Sequence, residues 1–402
     1  MRFMGRELLA AGHSVKIFCL QTSPDRPLRM EHEGIEIRRF PYKPKRWPHR
    51  QPYEIIKTVK NSAPAFFGEF KPDAIWSYSP SVGLGMVRAG YTGSLLYIMP
   101  VTARLDADSL MLRTSGMPWR RRLLLLGLWP LHFFAAASVE RRFLQKAQPV
   151  CHSENMHRAV LRSYGRRMYD KTVKISPGVD TAFFSRENGE KLFPEIEKQY
   201  GICAEENFVL FIGRFSAMKN LYGLLDAFSR MRCNSRLVLV GSGQEDRRLR
   251  NYVEARGLGR KVVFAGRQDD RLLPGFYSMA RVFVNPSLIE PFGLTLLEAQ
   301  ACGVPVVGYG GNPRKFLTAT EELVVDGKTG ALVREAGALA LARKMEAILS
   351  LDDEKHAAMS RQARENVLER FSWKRCVREA IELSLAGGLP DGSAMENKHS
   401  DN

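Results

Sequence analysis

The chain has 402 residues, of which 45% are hydrophobic and 26% charged, a balance that suits a globular protein of about two domains. Its six cysteines, at 19, 151, 203, 233, 302 and 376, show no CxxC or His-Cys clustering, which argues against a zinc site or a disulfide framework and fits a reducing cytoplasm. The net charge of +17 is uneven, because residues 1–180 hold 29 Lys+Arg against 14 Asp+Glu while residues 181–402 hold 31 against 29.

The first 20 residues, MRFMGRELLAAGHSVKIFCL, mix charges with apolar residues. They read as a helix, a Gly-His turn and a strand, with no secretory signal peptide expected. His13 falls in that turn. Further strands are expected at GIEIRRF (34–40), PDAIWSYS (72–79) and SLLYIMP (94–100), with helices between them. Such alternation predicts a parallel sheet covered on both faces. The segment 123–139, LLLLGLWPLHFFAAASV, is the most hydrophobic of the chain. At 17 residues with Pro130 and His132 inside, it falls short of the roughly 20 residues of a membrane span. A bent helix or helix pair is expected there, buried or lying in a membrane interface.

Basic clusters stand at KPKRWPHR (43–50), RRR (120–122) and RSYGRR (162–167). No helix-turn-helix, RNA-recognition or zinc-finger pattern accompanies them, so nucleic acid is not the expected partner. An anionic membrane surface is preferred, at about 1 kcal/mol per basic residue near the surface. A basic surface kept for solubility is the plain alternative.

VKISPGVDTAFFS (173–185) reads as the strand and turn that end the first domain, and ENGEKLFPEIEKQYG (187–201) as the link. FVLFIGRFS (208–216) opens the second domain. Strands at 236–243, 261–266, 281–287, 304–310 and 330–333 then alternate with helices, which predicts a second doubly wound sheet. Residues 338–385 read as helical and 386–402 as a disordered tail. The expected boundaries are 1–185, 186–385 and 386–402.

Within the second domain, EPFGLTLLEA places Glu290 and Glu298 on either side of a Pro-Phe-Gly turn. Glu290 is expected at the carboxyl end of strand RVFVNPS, and Glu298 in the first turns of the next helix. In open α/β sheets ligands bind at that edge, and free amides at a helix start face an anionic ligand. Such carboxylates can accept from the hydroxyls of a sugar and of a ribose.

The run NPSLIEPFGLTLLEAQACGVPVV (285–307) closely resembles the signature of family-4 retaining glycosyltransferases of the GT-B fold, whose two glutamates are separated by seven residues, as Glu290 and Glu298 are. GRFSAMKN (213–220) matches the family's Gly-Arg…Lys-Asn motif. The resemblance covers most of the chain and is most specific over 173–333. It implies an α/β protein of two Rossmann-like, doubly wound domains facing a central cleft. The first would bind the acceptor and the second a nucleotide-sugar. It implies transfer of a sugar from a nucleotide donor with retention, and the reading adopted is a hexosyltransferase using a UDP- or GDP-linked donor and a polysaccharide, lipopolysaccharide or glycolipid acceptor. With no Asp-x-Asp in the donor domain and no His/Cys/carboxylate cluster of ligand spacing, it is expected to be metal-independent and to need no cofactor. Arg214 and Lys219 would hold the diphosphate and Glu290 the sugar hydroxyls, making these three the catalytic set. Glu298 would hold the ribose. Gly213, Gly241, Gly243, Arg267 and the amides of Phe292, Gly293 and Leu294 complete the donor-binding set. An internal-return mechanism is expected rather than a glutamate nucleophile. Rival readings are a GT-B sugar-nucleotide epimerase and an inactive homologue that binds nucleotide-sugar as a scaffold. The protein is expected in the cytoplasm or at the inner face of the plasma membrane.

The sequence also departs from the family. The loop 97–109, YIMPVTARLDADS, lacks the His that many members carry there. Thr102, Arg104 and Asp106 are the available substitutes. GYGGNPRKF (308–316) lacks the acid of the family's Gly-Gly-x-x-Glu pattern, and Asn312 to Arg314 stand in its place. MRFMGRELLAAGHSV resembles the family's first helix, so the opening strand and its loop are expected to be missing from this numbering.

Overall fold

The computed structural model describes residues 2–386 except 22, 24, 44–47, 103–118, 204–205 and 311–316. Arg104, Asp106, Asn312 to Arg314 and nearly all of the expected tail lie outside the described residues. The chain divides into two compact units. One comprises 1–152, 156–176 and 373–402, and the other 153–155 and 177–372.

The first unit holds two sheets where one was expected. Strands β1 (Lys16–Gln21), β2 (Arg29–His32) and β3 (Ile35–Pro41) pair in the order β1-β3-β2. The β2–β3 hairpin, closed by Glu33-Gly34, was not read from the sequence because β2 is short and polar but for Met30. Strands β4 (Ala74–Ser77), β5 (Ser94–Ile98), β6 (Gln148–Cys151) and β7 (Val173–Lys174) form a parallel sheet in chain order. β6 was also missed, since QPVC opens on a polar residue and a proline. Phe18 and Leu20 of β1 and Ile75 of β4 pack on one hydrophobic cluster, yet β1 and β4 do not pair.

The apolar segment expected as a bent helix lies within one helix, Trp119–Leu144, with Pro130 inside it. No helix among the described residues is long and apolar enough to cross a membrane. Near its end Glu140 is buried, and its carboxylate accepts from the Tyr97 hydroxyl at 2.8 Å and from Tyr164.

The expected boundary at 185 falls instead between 176 and 177, and the last helix belongs to the first unit rather than the second. The reason is packing. Helix Trp373–Leu385 buries Cys376 and Ala380 against Leu96, Ile98, Val150 and Ile175. Trp76 donates to the Ser384 hydroxyl at 2.9 Å. Amphipathic spacing showed that this helix has an apolar face, but not which sheet receives it.

The second unit is built on a six-stranded parallel sheet: β8 (Phe208–Ile212), β9 (Arg236–Val240), β10 (Val262–Gly266), β11 (Val282–Asn285), β13 (Val306–Tyr309) and β15 (Gly330–Val333). Its order is β10-β9-β8-β11-β13-β15. β8 and β11 are fully buried, which is why both read as continuous apolar runs instead of alternating ones. The chain leaves β8 toward β9 and β10, then returns to the other side through β11. The order therefore reverses between β8 and β11, the position at which open α/β sheets bind ligands beyond their carboxyl ends.

Candidate site at the β8–β11 switch point

Lys219 and Glu290 meet at that reversal. Lys219 ends the loop after β8 and Glu290 follows β11. The Lys219 ammonium donates to Glu290 Oε2, and their side chains are 24% and 11% exposed. Asn220 sits in the left-handed region with φ 50°, a conformation Asn tolerates better than most residues. Its amide donates to Pro286 O at 3.2 Å and ties the Lys219 loop to the segment after β11.

Glu290 is not at the end of the strand RVFVNPS, as expected. β11 stops at Asn285, and Glu290 lies in a separate two-residue strand, β12 (Ile289–Glu290), which pairs with β14 (Leu317–Thr318). Pro286, which has no N–H to give a ladder, helps end β11. The turn that follows is pinned along its carbonyls. Ala319 N donates to Glu290 O at 3.0 Å, and the buried Ser153 hydroxyl to Pro291 O at 2.6 Å.

Two side chains, Lys219 and Asn285, donate to the same carboxylate oxygen, and the Ser287 hydroxyl, whose one proton goes to Asn285 Oδ1 at 2.6 Å, lies near it. Besides Lys219, the Ser287 hydroxyl lies 3.4 Å and the Asn285 amide 3.5 Å from Glu290 Oε2. Neither Asn285 nor Ser287 was singled out from the sequence. Their signal was a pair of polar residues in an apolar run, each buried with no obvious solvent.

Gly293 has φ 98°, and a Cβ there would lie 2.6 Å from the Leu296 side chain, so the entry to helix Leu294–Ala301 requires glycine. The Phe292 ring packs against Phe371 in a T-shaped contact. Leu294 is exposed. Glu298, in the second turn, is half-buried and accepts from the Tyr277 hydroxyl at 2.7 Å. Burial pushes its carboxyl up to about 7, although the Tyr277 bond opposes the rise. Tyr277, fully buried, was likewise missed.

Arg214 is exposed and has no side-chain partner among the described residues. Arg267 is exposed on the loop after β10. Gly241 and Gly243 have a structural use independent of any ligand. A Cβ on Gly241 would lie 1.9 Å from Gly213 O, and one on Gly243 2.2 Å from Phe215 O. The two loops instead interlock, Gly213 N donating to Val240 O at 3.0 Å and Phe215 N to Ser242 O at 2.9 Å.

Glu321 packs so closely on Gly310 that a Cβ there would lie 3.3 Å from its own Cβ. The neighbouring Glu322 accepts from the amides of Glu154 and Asn155 at 2.9 and 3.2 Å. In the first unit, Thr102 is fully buried and accepts from the Ser163 hydroxyl at 3.2 Å, while His13 is exposed in its turn.

Two family models match the chain: "Glycosyl transferase 4-like domain" over residues 1–178 and "Glycosyl transferases group 1" over 193–366. Alpha-maltose-1-phosphate synthase of Mycolicibacterium smegmatis is 30% identical over 73% of this chain and 75% of its own. D-inositol 3-phosphate glycosyltransferase of an Arthrobacter species is 27% identical over 95% of this chain and 88% of its own. Among solved structures, sucrose-phosphate synthase from Thermosynechococcus elongatus superimposes with a TM-score of 0.77 at 25% identity, covering 96% of this chain and 92% of that one. Several other curated relatives align over only about half of their own length.

Proposed function

The chain belongs to the glycosyl transferases of group 1, and from that premise we propose that it transfers a hexosyl group from a UDP- or GDP-sugar to a carbohydrate or lipid-linked acceptor with retention at the anomeric carbon. The observation that carries this reading is the Lys219–Glu290 pair at the β8–β11 reversal. A nucleoside-diphosphate leaving group brings negative charge to the end of β8. Arg214 meets it with a fork of donors and Lys219 with a compact charge. Each unit-charge pair near 4 Å is worth about 4 kcal/mol at an effective dielectric of 20, a large part of leaving-group assistance without a metal. As Lys219 turns to the diphosphate, Glu290 becomes available to the sugar hydroxyls. Glu298, held by Tyr277, takes the ribose. The amides at the start of helix Leu294–Ala301 face the sugar or phosphate oxygens.

Retention follows from attack by the acceptor on the leaving-group face, with the departing phosphate oxygen taking the acceptor's proton. A double displacement needs two carboxyls about 5 Å apart around the bond, and that role is not assigned to Glu290. The test is transfer from a panel of UDP-, GDP- and ADP-sugars, with the anomeric configuration of the product read by NMR. An inverted product sinks the retaining mechanism. Conversion of the donor sugar without any acceptor would favour an epimerase. Nucleotide binding without turnover would favour a scaffold. Activity lost in excess EDTA and restored by manganese would refute metal independence.

The acceptor is assigned to the first unit, and the protein to an anionic membrane face. The support is the basic excess of residues 1–180 together with the exposed Leu131 and Phe134 on helix Trp119–Leu144, Phe134 lining one depression with Arg141 and Arg142. Binding to vesicles containing anionic lipid is expected to fall as salt rises, since screening acts over about 10 Å at 0.1 M. Equal partition onto neutral vesicles would overturn this assignment.

A further inference from the structure

We propose that Asn285 and Ser287 are positioning residues that hold Glu290 with one carboxylate oxygen engaged and the other presented to the donor sugar. The inference rests on the reading of Glu290 as the sugar contact and adds how its orientation is set.

The geometry leaves little freedom. Asn285 ends β11 and is buried, and Ser287 is fully buried two residues later. The Ser287 amide donates to Asn285 Oδ1 at 3.2 Å, and the Ser287 hydroxyl does so at 2.6 Å. A backbone N–H can only donate. The carbonyl end of the Asn285 amide must therefore face Ser287, and the NH2 end must face Glu290. This Asx-turn closes across Pro286, whose ring limits the backbone, and whose carbonyl is bound by Asn220 at 3.2 Å. Glu290 is approached on Oε2 by the Asn285 amide, the Ser287 hydroxyl and Lys219. The single Ser287 hydroxyl proton is taken by Asn285 Oδ1, so the two side-chain donors to Glu290 among the described residues, Lys219 and the Asn285 amide, meet one oxygen, and Ser287 acts by holding Asn285. Oε1 remains for a ligand hydroxyl.

The arrangement also explains why the Asn285 contact is long, at 3.5 Å. Lys219 takes the nearest approach to Oε2. When Lys219 turns to a diphosphate, the Asn285 amide, itself held by Ser287, becomes the group that keeps the carboxylate from swinging toward the departed charge. Asn285 and Ser287 touch neither sugar nor phosphate in this account. They act through Glu290.

The experiment compares wild type with Asn285→Leu, close in size but without an amide, and with the milder Ser287→Ala. Three quantities are read: nucleoside-diphosphate affinity by calorimetry, kcat for transfer, and the coupling of each change with Glu290→Gln. The expected result for Asn285→Leu is a fall in kcat of ten- to a hundredfold, with diphosphate affinity held within twofold. Ser287→Ala should fall less, because the Ser287 amide still orients Asn285. Neither change should slow Glu290→Gln further. Losses that multiply with that of Glu290→Gln, or a matching loss of diphosphate affinity, would show a general structural role and overturn the proposal. Wild-type protein that transfers no sugar would instead sink the proposed function. The same cycle read on thermal unfolding then decides the contact, since additive shifts would mean that Asn285 and Glu290 do not interact.

Discussion

Replacing Lys219 by alanine separates the two uses of this side chain. In the ligand-free protein it is the nearest donor to Glu290, a carboxylate only 11% exposed. Its removal leaves that carboxylate with the Asn285 amide at 3.5 Å, beyond the usual range of good hydrogen bonds. A hydrogen bond to a charged group is worth about 1.5–3 kcal/mol. Lys219 is itself 24% exposed, so part of this is regained by hydration of the carboxylate. The expected loss of stability is about 1–2 kcal/mol by urea denaturation, falling below about 0.5 kcal/mol in a Glu290→Gln background, where no buried charge is stranded. The effect on ligand is independent of that partner. Nucleoside-diphosphate affinity should fall by about 10- to 150-fold in calorimetry, the equivalent of 1.5–3 kcal/mol. It should do so whether position 290 carries Glu or Gln. Unchanged affinity would remove Lys219 from the diphosphate. Equal destabilisation in both backgrounds would mean that the ion pair contributes nothing to the fold.

Arg214→Ala should leave stability within about 0.5 kcal/mol, because the side chain is exposed and unpartnered among the described residues, yet weaken nucleoside-diphosphate binding by about tenfold or more. A purely ligand-directed loss is the expected pattern, and an unchanged Kd would refute it. Gly243→Ala forces a Cβ to within 2.2 Å of Phe215 O and should cost about 1–3 kcal/mol in chemical denaturation. Gly259→Ala, which meets nothing within 4 Å, should cost less than about 1 kcal/mol. Glu298 should make donor binding pH-dependent. Its carboxyl, raised to about 7 by burial, is protonated below that pH in the empty site, and ribose hydroxyls donate best to the ionised form. Affinity should therefore fall by up to about tenfold per pH unit as pH drops below 7, with Glu298→Gln weak and flat across the range. The stability of the empty protein should move the other way. The folded carboxyl keeps a proton that the unfolded chain releases near 4.5, so stability falls from pH 4.5 to 7, a slope Glu298→Gln should abolish.

The order of apolar runs and glycine turns was enough to place β8 to β11 and the helix carrying Glu298, because strands buried on both faces must be apolar throughout. The motif at 213–220 and the paired glutamates were legible because chemistry at a sheet edge needs particular residues just after particular strands. Three things were settled only in three dimensions. Which strands neighbour one another decided that the ends of β8 and β11 meet, and so that Lys219 and Glu290 pair across 71 residues. The partners of buried polar groups decided the roles of Asn285, Ser287 and Tyr277, whose identities in the sequence are ordinary. The direction of an amphipathic face decided that helix Trp373–Leu385 covers the first unit's sheet. An apolar stripe specifies that a surface must be buried, while the surface that buries it depends on shape complementarity between elements far apart in the chain.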